Sequence, residues 1–320
     1  MKTIQTILGL AFLCLVNIPA QQKEPAVRTE EQIVEHYFQS LLPAPGDSVR
    51  PVYSPNEFMA KAALFLLNTP YVAHTLEVND EEELVVNLRE LDCTTFVENC
   101  LALSRAAQYS RPDFDYFVRQ LKYIRYRKGI IQGYTSRLHY TTDWITDNVD
   151  KGTLEDITCA LGGKRFQPQV GYMSSHPELY SGLRDNPQNT QTMASIEKAI
   201  NQRTTYYYIP RDEIVEKQSL IKNGDIICFT TGLPGLDISH LGIAWRDKGQ
   251  LSFIHASMRY KKVVVNPESL SDYCRMSKSN TGIMVLRPRA LEEQKNPIVY
   301  AVRTQLAWAP PCYLGRIWLF

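Results

Sequence analysis

Three residues in this sequence could act together as a nucleophile, a base and an orienting group: Cys93, His240 and His255. Cys93 opens a run whose apolar positions have the spacing of a buried helix. Because Asp92 stands where an N-cap belongs, we expect Cys93 in the first turn, where free N–H groups and the helix dipole favour a thiolate. A lone cysteine is more often a buried structural residue, and the two histidines change that interpretation.

The two histidines lie in neighbouring candidate strands. A hairpin turn centred between Asp247 and Lys248 would place His240 directly opposite His255, with Cβ atoms ~4.5–5.5 Å apart. A slip of one residue would put the two side chains on opposite faces, so this register is a specific prediction.

The small residues Gly242 and Ala244 would share a face with His240 and leave room for the end of the cysteine helix. An imidazole in that position can activate the thiol, and a third polar residue can fix the tautomer of the imidazole. A zinc site made of Cys93, His240 and His255 is an alternative, but zinc ligands usually have tighter spacing. We expect no metal and no cofactor.

The composition is that of a folded globular protein. The 320 residues are 44% hydrophobic and 22% charged, which excludes the disordered and fibrous classes and allows one large or two ordinary domains. A formal net charge of +1 without a basic block predicts no nucleic-acid partner. CxxC pairs, a phosphate-binding loop, HExxH and GxSxG are absent, which removes the common zinc, nucleotide and serine-hydrolase signals.

Residues 1–20 have the features of a secretory signal peptide. Lys2 precedes an apolar run from Ile7 to Val16, and Ala20 closes the segment with a small residue. The run is too short for a stable membrane span, and no later stretch is long and apolar enough. We therefore expect an exported protein, periplasmic in a bacterium, monomeric and without a membrane span once the signal is removed.

The predicted elements are helices followed by strands. A capping-box pattern at Thr29 begins one helix, and Ser54 followed by a proline at the first helical position begins a second. The cysteine helix follows a short strand over Leu84 to Leu88, and residues 111–126 have helical periodicity. The later candidate strands are Thr205 to Ile209, Asp225 to Thr230, Ser239 to Trp245, Leu251 to Ser257, Lys262 to Asn266 and Gly282 to Leu286. This order favours an α+β fold.

The motif around the cysteine, Leu91-Asp92-Cys93-Thr94-Thr95-Phe96-Val97-Glu98, resembles that of the NlpC-type cell-wall hydrolases, which are papain-like. Residues 223–227, 239–243 and 254–256 resemble the strand, base and third-residue motifs of that family, in the same order. Residues 68–71 resemble its tyrosine segment. The resemblance implies a papain-like core, with a cysteine helix packed on an antiparallel sheet and Tyr71 helping to form the oxyanion site.

The departures from that family indicate a branch. Val72-Ala73-His74 and Thr94-Thr95 replace the paired glycines and the Ser-Gly of the endopeptidases. The cysteine motif and the long interval before the Asp225 strand are similar to the N-acetylmuramoyl-L-alanine amidase-like branch. That branch cuts between the muramic acid lactyl group and L-alanine in small, often anhydro, muropeptides. A γ-D-glutamyl-diamino-acid endopeptidase of the same fold and a catalytically silent wall-binding module remain alternatives.

We expect one catalytic domain over residues 21–289, in which a mainly helical insertion, residues 105–203, shapes the cleft; the role of the tail, residues 290–320, is unassigned. Arg137 could meet a peptide carboxylate, and His139, Tyr140 or Trp144 could pack on sugar or peptide. A surface loop with packed aromatic residues explains these positions equally well. The candidate oxyanion and substrate residues are Tyr71, Thr94, Arg137, His139, Trp144 and Asp237.

Overall fold

The computed structural model describes residues 28–43 and 52–291. The predicted signal peptide, residues 1–20, lies outside the described residues, and so does the predicted tail beyond residue 291. The helices are α1 (Glu30–Ser40), α2 (Pro55–Phe65), α3 (Cys93–Ala107), α4 (Phe114–Arg125), α5 (Thr141–Asp150), α6 (Tyr172–Ser175), α7 (Pro187–Gln202), α8 (Ile214–Lys217) and α9 (Leu270–Met276). The strands are β1 (Leu154–Asp156), β2 (Lys164–Arg165), β3 (Tyr207–Pro210), β4 (Ile226–Thr231), β5 (Ile238–Asp247), β6 (Gln250–Ser257), β7 (Lys262–Val265) and β8 (Asn280–Pro288).

Local side-chain chemistry begins the first three helices. Thr29, Ser54 and Asp92 are the N-caps of α1, α2 and α3, and each forms a complete capping box with the residue three positions later. Each box satisfies backbone N–H groups that have no partner inside the helix. The predicted helix starts are therefore confirmed, and Cys93 occupies the first position of α3.

The strands form one antiparallel sheet in the order β2-β3-β8-β4-β5-β6-β7, and β1 pairs with β8 beside β3. The six strands predicted after residue 203 are all present, and the α+β class is confirmed. The short strands β1 and β2 lie within the predicted insertion, which also contains α4, α5, α6 and α7. No helix among the described residues is long and apolar enough to cross a bilayer.

The predicted strand over Leu84 to Leu88 is wrong, because this segment has no ladder partner among the described strands. Its backbone is bonded to side chains instead. The carbonyl of Val85 accepts from Arg125 Nη1 at 2.6 Å, and the N–H of Leu88 donates to Glu30 Oε2 at 2.8 Å. These long-range side-chain bonds attach the loop that contains Leu84 to Leu88 to α4 and to α1.

Each face of the sheet is covered by a different apolar cluster. On one face α3 packs on β5 and β6, in a core that includes Phe96, Leu101 and Ile243. On the other face Phe229 and Phe253 pack with residues from the α8 and α9 region. The cysteine helix is thus a core helix, buried along nearly its whole length, as its apolar spacing predicted.

The register of the β5–β6 hairpin differs from the prediction by two residues. Asp247 pairs with Gln250, and the two-residue turn between them has φ +46° at Lys248 and +88° at Gly249. Positive φ at both central positions is the signature of the type I′ turn, whose twist matches that of the flanking strands. The turn centre therefore lies one position later than predicted, and the prediction that His240 is directly opposite His255 is wrong.

Candidate active site

Hydrogen bonds hold the N-terminal end of the cysteine helix, α3, in place. Asp92 Oδ1 accepts the Thr95 N–H at 2.8 Å, and the Asp92 N–H donates to Thr95 Oγ1 at 2.9 Å. The neighbouring N–H of Leu91 donates to the carbonyl of Pro70 at 3.0 Å. These bonds fix the first turn of α3, where Cys93 as a whole residue is half-buried.

Cys93 meets the sheet where β5 and β6 separate. The β5–β6 pairing covers Ile243 to Asp247 and Gln250 to Ile254, after which β5 continues along β4 and β6 along β7. At this opening the backbone N–H of Leu241 hydrogen-bonds to the Cys93 sulfur. Leu241 is the residue next to His240, so the sulfur lies one residue along β5 from the candidate base.

His240 and His255 form the central contact of the site. Nε2 of His240 lies 2.6 Å from Nδ1 of His255, and the two rings are nearly perpendicular with centroids 4.8 Å apart. The Phe229 and Phe253 rings pack around the pair. A two-residue shift preserves the face of each side chain, which is why the histidines meet on a diagonal in spite of the corrected register.

The small residues of β5 serve another purpose than the predicted one. A Cβ added at Gly242 would lie 2.4 Å from Cδ2 of Phe253 and 2.9 Å from the carbonyl oxygen of Ile254. Ala244 belongs to the same cluster as Phe253, on the face away from α3. Gly242 and Ala244 therefore make room for the phenyl ring that supports the histidines, and the expectation that they make room for α3 is wrong.

The charge states follow from burial. Burial, followed by the charge of Asp92, raises the pKa of Cys93 to about 11, against the opposing effect of the Leu241 N–H and the Thr94 hydroxyl. Burial and the neighbouring His255 lower the pKa of His240 to about 3, and burial lowers that of His255 to about 4. At neutral pH the site therefore holds a thiol and neutral imidazoles, so desolvation outweighs the helix-dipole effect expected to favour a thiolate.

Tyr71 lies beside the cysteine, as the resemblance implied. Its N–H donates to the carbonyl of Lys261, and it forms a bridge with Leu91, the residue before the N-cap of α3. Burial, followed by the charges of Cys93 and Asp92, raises the pKa of Tyr71. The phenol is therefore protonated at neutral pH and can donate a hydrogen bond.

Three of the candidate substrate residues line one cavity next to Cys93. Thr94, His139 and Trp144 surround it together with Leu241, and its volume is about 10 Å³, roughly the space of one water molecule. His139 Nε2 contacts the carbonyl of Tyr134 at 2.9 Å, and burial followed by the charge of Arg137 lowers the pKa of His139 to about 3. The buried indole Nε1 of Trp144 has no hydrogen-bond partner among the described residues.

The other two candidates are engaged within the protein. Arg137 forms ion pairs with Glu77 at 2.5 Å and Glu82 at 3.3 Å. Asp237 is buried, and its Oδ2 accepts the Thr142 N–H at 2.7 Å, so it caps the start of α5. Both side chains tie loops of the site to the insertion, and both are engaged by these internal partners.

A model of the AmiA-like family, described as N-acetylmuramoyl-L-alanine amidase-like, matches residues 61–283. The match includes Cys93, His240 and His255. The chain belongs to this family. The predicted similarity to N-acetylmuramoyl-L-alanine amidase-like proteins is thereby confirmed.

Solved structures of similar proteins agree with this membership. An N-acetylmuramoyl-L-alanine amidase from Bacteroides uniformis is 42% identical with a TM-score of 0.70, and the alignment covers 73% of this chain and 99% of that one. A candidate xylanase from Bacteroides fragilis is 48% identical with a TM-score of 0.68, covering 71% and 99%. A Legionella pneumophila protein, 22% identical with a TM-score of 0.60 over 81% and 95%, shares the fold. None of the curated proteins compared with the chain matches it.

Two residues of this amidase-like site were missed from the sequence. The Tyr273 ring packs on both histidines, with centroids 5.9 Å from His240 and 5.7 Å from His255. Asn266 acts on His255 from the end of β7. The N-cap pattern Ser269-Leu-Ser-Asp272 could have located α9 and with it Tyr273, whereas no local pattern marks Asn266.

Nothing in the described part of the chain forms a metal centre. No group of three or more His, Cys, Asp or Glu side chains there lies close enough together to hold an ion. The two histidine rings instead contact each other through ring nitrogens, which a shared zinc ion would require for its own coordination.

Proposed function

We propose that this protein is an exported cysteine amidase that hydrolyses the N-acetylmuramoyl-L-alanine bond of muropeptides, including anhydro forms. The proposal is supported by two observations at the opening between β5 and β6: the hydrogen bond from the Leu241 N–H, next to His240, to the Cys93 sulfur, and the contact of His240 with His255. Membership of the amidase-like family and the amidase from Bacteroides uniformis support the choice of bond. Residues 1–20 support export to the periplasm.

Cys93 is the nucleophile and His240 the general base in this proposal. Because His255 occupies Nε2 of His240, the nitrogen left for the thiol proton is Nδ1. As Nδ1 takes that proton, the sulfur attacks the lactyl carbonyl carbon, and the imidazolium then gives the proton to the leaving amine of L-alanine. Water, deprotonated by the same imidazole, hydrolyses the thioester and releases the muramic acid carboxylate.

The oxyanion formed in both steps needs hydrogen-bond donors. The protonated Tyr71 phenol and the backbone N–H of Cys93, at the N-terminus of α3, are the groups beside the sulfur that can supply them. Since the thiol is neutral at rest, proton transfer to His240 accompanies the attack. This arrangement supports a papain-like mechanism of the NlpC type.

The cavity beside Thr94 suits a small group of the substrate. Its size fits a methyl group, such as that of the lactyl ether or of L-alanine, better than a sugar ring. The unpartnered indole N–H of Trp144 can donate to a substrate carbonyl, and neutral His139 can pack against the peptide. Arg137 positions this wall through its carboxylate partners and does not hold the substrate directly.

A glycosidase is the second candidate, since one relative is described as a candidate xylanase. Glycoside hydrolysis requires two carboxyl groups that flank the scissile bond. Among the described residues that line the cavity, Glu98 is the carboxylate, and it is bonded to Arg125 Nε at 2.6 Å. The thiol–imidazole pair fits amide hydrolysis instead.

The test is digestion of a defined muropeptide, N-acetylglucosaminyl-anhydro-N-acetylmuramoyl-L-Ala-D-Glu-diaminopimelate, followed by mass spectrometry. We expect free disaccharide and intact tripeptide. Release of diaminopimelate with L-Ala-D-Glu left on the sugar would assign the endopeptidase instead, and hydrolysis of xylan alone would assign the glycosidase.

Two variants connect the activity with the cysteine. Cys93→Ser should lose turnover because a hydroxyl is far harder to ionise than a thiol. Cys100→Ala, which changes a buried cysteine two turns further along α3, should keep it. Iodoacetamide should label Cys93 in the folded protein; a chain that neither reacts there nor hydrolyses muropeptide would be the silent wall-binding module.

A further inference from the structure

We propose that Asn266 is a positioning residue that sets the tautomers of both histidines, so that Nδ1 of His240 is unprotonated and can act as the base. The inference rests on the proposed function, in which His240 accepts the thiol proton. It adds a fourth member to the Cys93, His240 and His255 set, and its role is exerted through His255.

The 2.6 Å contact between His240 and His255 holds one proton, and its position decides whether the site works. If His255 Nδ1 carries it, His240 Nε2 accepts, and neutral His240 must carry its own proton on Nδ1, the nitrogen that the proposed mechanism needs as the base. If His240 Nε2 carries it, His255 Nδ1 accepts, and Nδ1 of His240 is a free lone pair. Only the second arrangement provides a base for Cys93.

The second arrangement places the remaining proton of His255 on Nε2, and that N–H needs an acceptor because His255 is buried. Asn266 is the polar side chain that interacts with His255, and its effect opposes the burial that lowers the pKa of the imidazole. An oxygen that accepts a hydrogen bond from the ring raises the pKa of an imidazole in this way.

The orientation of the Asn266 amide follows from its other bond. Its Nδ2 donates to the carbonyl oxygen of Glu268 at 3.0 Å, and a carbonyl oxygen can only accept, so the amide nitrogen must lie on that side. Oδ1 is therefore the atom available to His255. Asn266 as a whole is 3% exposed. Its backbone N–H donates to the Phe253 carbonyl at 2.8 Å, and its backbone carbonyl accepts from Ser252 Oγ at 2.6 Å.

The hydrogen bond between Asn266 Oδ1 and His255 Nε2 is not fully formed in this structure. Nε2 of His255 completes no hydrogen bond with the described residues, although Asn266 interacts with it. Catalytic hydrogen bonds are often long in a site without substrate and shorten in the complex. A shift of Asn266 Oδ1 towards His255 Nε2 would satisfy this buried nitrogen. Apart from His240 at Nδ1, Asn266 is the side chain among the described residues that acts on His255 through a hydrogen bond.

The test compares Asn266→Leu and Asn266→Asp with the wild-type chain by steady-state kinetics and by ¹⁵N NMR of labelled histidines. For Asn266→Leu we expect kcat to fall about 10–100-fold with little change in KM, the usual size for loss of such a partner. His240 should move from the Nε2–H to the Nδ1–H tautomer. Asn266→Asp keeps an acceptor and should retain the Nε2–H tautomer and most of kcat.

Ser252→Ala is the matched control, because it removes the Ser252 Oγ bonds to the backbone carbonyls of Asn266 and Glu268 and keeps the Asn266 amide with its own bond to the Glu268 carbonyl. It should leave the tautomer unchanged. The inference is overturned if His240 keeps the Nε2–H tautomer in a folded Asn266→Leu protein, or if Ser252→Ala lowers kcat to the same degree. A wild-type chain that fails to cleave muropeptides would contradict the proposed function, while the tautomers could still be read by NMR.

Discussion

Nε2 of His240 lies 2.6 Å from Nδ1 of His255, although the strands that carry them place the two residues on a diagonal and not opposite each other. The rings reach across the opening where β5 and β6 have separated, and the Phe253 ring supports them from β6. The same opening exposes the Leu241 N–H to the Cys93 sulfur. One break in the strand pairing thus allows both the contact between the histidines and the hydrogen bond from Leu241 to the Cys93 sulfur.

The two histidines should respond differently to substitution. His240→Ala should be nearly inactive at every pH, because no group remains to take the thiol proton or return it to the leaving amine. His255→Ala should lose less, and His255→Asn or His255→Gln should recover part of the loss by restoring one hydrogen bond. Turnover of the four variants on one muropeptide measures this. An active His240→Ala with an inactive His255→Ala would show that the roles are reversed.

As the pH is lowered, kcat/KM should begin to fall only at an unusually acidic pH. The base works only when neutral, and burial lowers the pKa of His240 to about 3 and that of His255 to about 4. Activity should therefore hold from neutral pH down to about pH 5 and fall only below it, as the coupled pair takes up a proton. Rates measured in buffers of constant ionic strength test this. An acid limb near pH 6.5 would mean that the imidazoles are solvated.

Removal of metal should leave the activity intact. The thiol, the imidazole pair and the oxyanion donors account for each proposed step without an ion. We expect full turnover after dialysis against EDTA, and loss of turnover when the same sample is treated with iodoacetamide. Loss on chelation that added zinc restores would favour the zinc site formed by Cys93, His240 and His255.

Gly242→Ala should destabilise the fold and slow the enzyme. The added methyl would lie 2.4 Å from Phe253, so this ring, which packs on His255, must move. Overpacking of this kind costs about 1–3 kcal/mol of unfolding free energy. Gly232→Ala is the control, because its Cβ would be 3.6 Å from its nearest neighbour, an ordinary contact. Denaturant unfolding and turnover of both variants give the comparison; equal stability of the two would contradict it.

Much of the fold could be read locally. The capping boxes at Thr29, Ser54 and Asp92 depend on residues three positions apart, and the strands after residue 203 on alternation within a few residues. These signals placed Cys93 at the start of a core helix and the histidines on adjacent strands. The two histidines also share a face of the sheet in spite of the changed register, since a shift of two residues preserves the alternation of side chains along a strand.

The tertiary structure decided what depends on distant partners. Arg137 is paired with Glu77 and Glu82, and Asp237 caps a helix that begins about a hundred residues earlier; neither contact has a local signature. The type I′ turn at Lys248 and Gly249 set the register of the β5–β6 hairpin, because the twist of this turn matches that of the flanking strands.

The charge of the site was decided in the same way. A helix N-terminus predicts a thiolate at Cys93, and desolvation by the surrounding core yields a thiol. By itself, the sequence determined which groups can do the chemistry and which elements carry them. Their protonation states and their partners Asn266 and Tyr273 came from packing, because desolvation and hydrogen bonds depend on which distant segments of the chain are brought together.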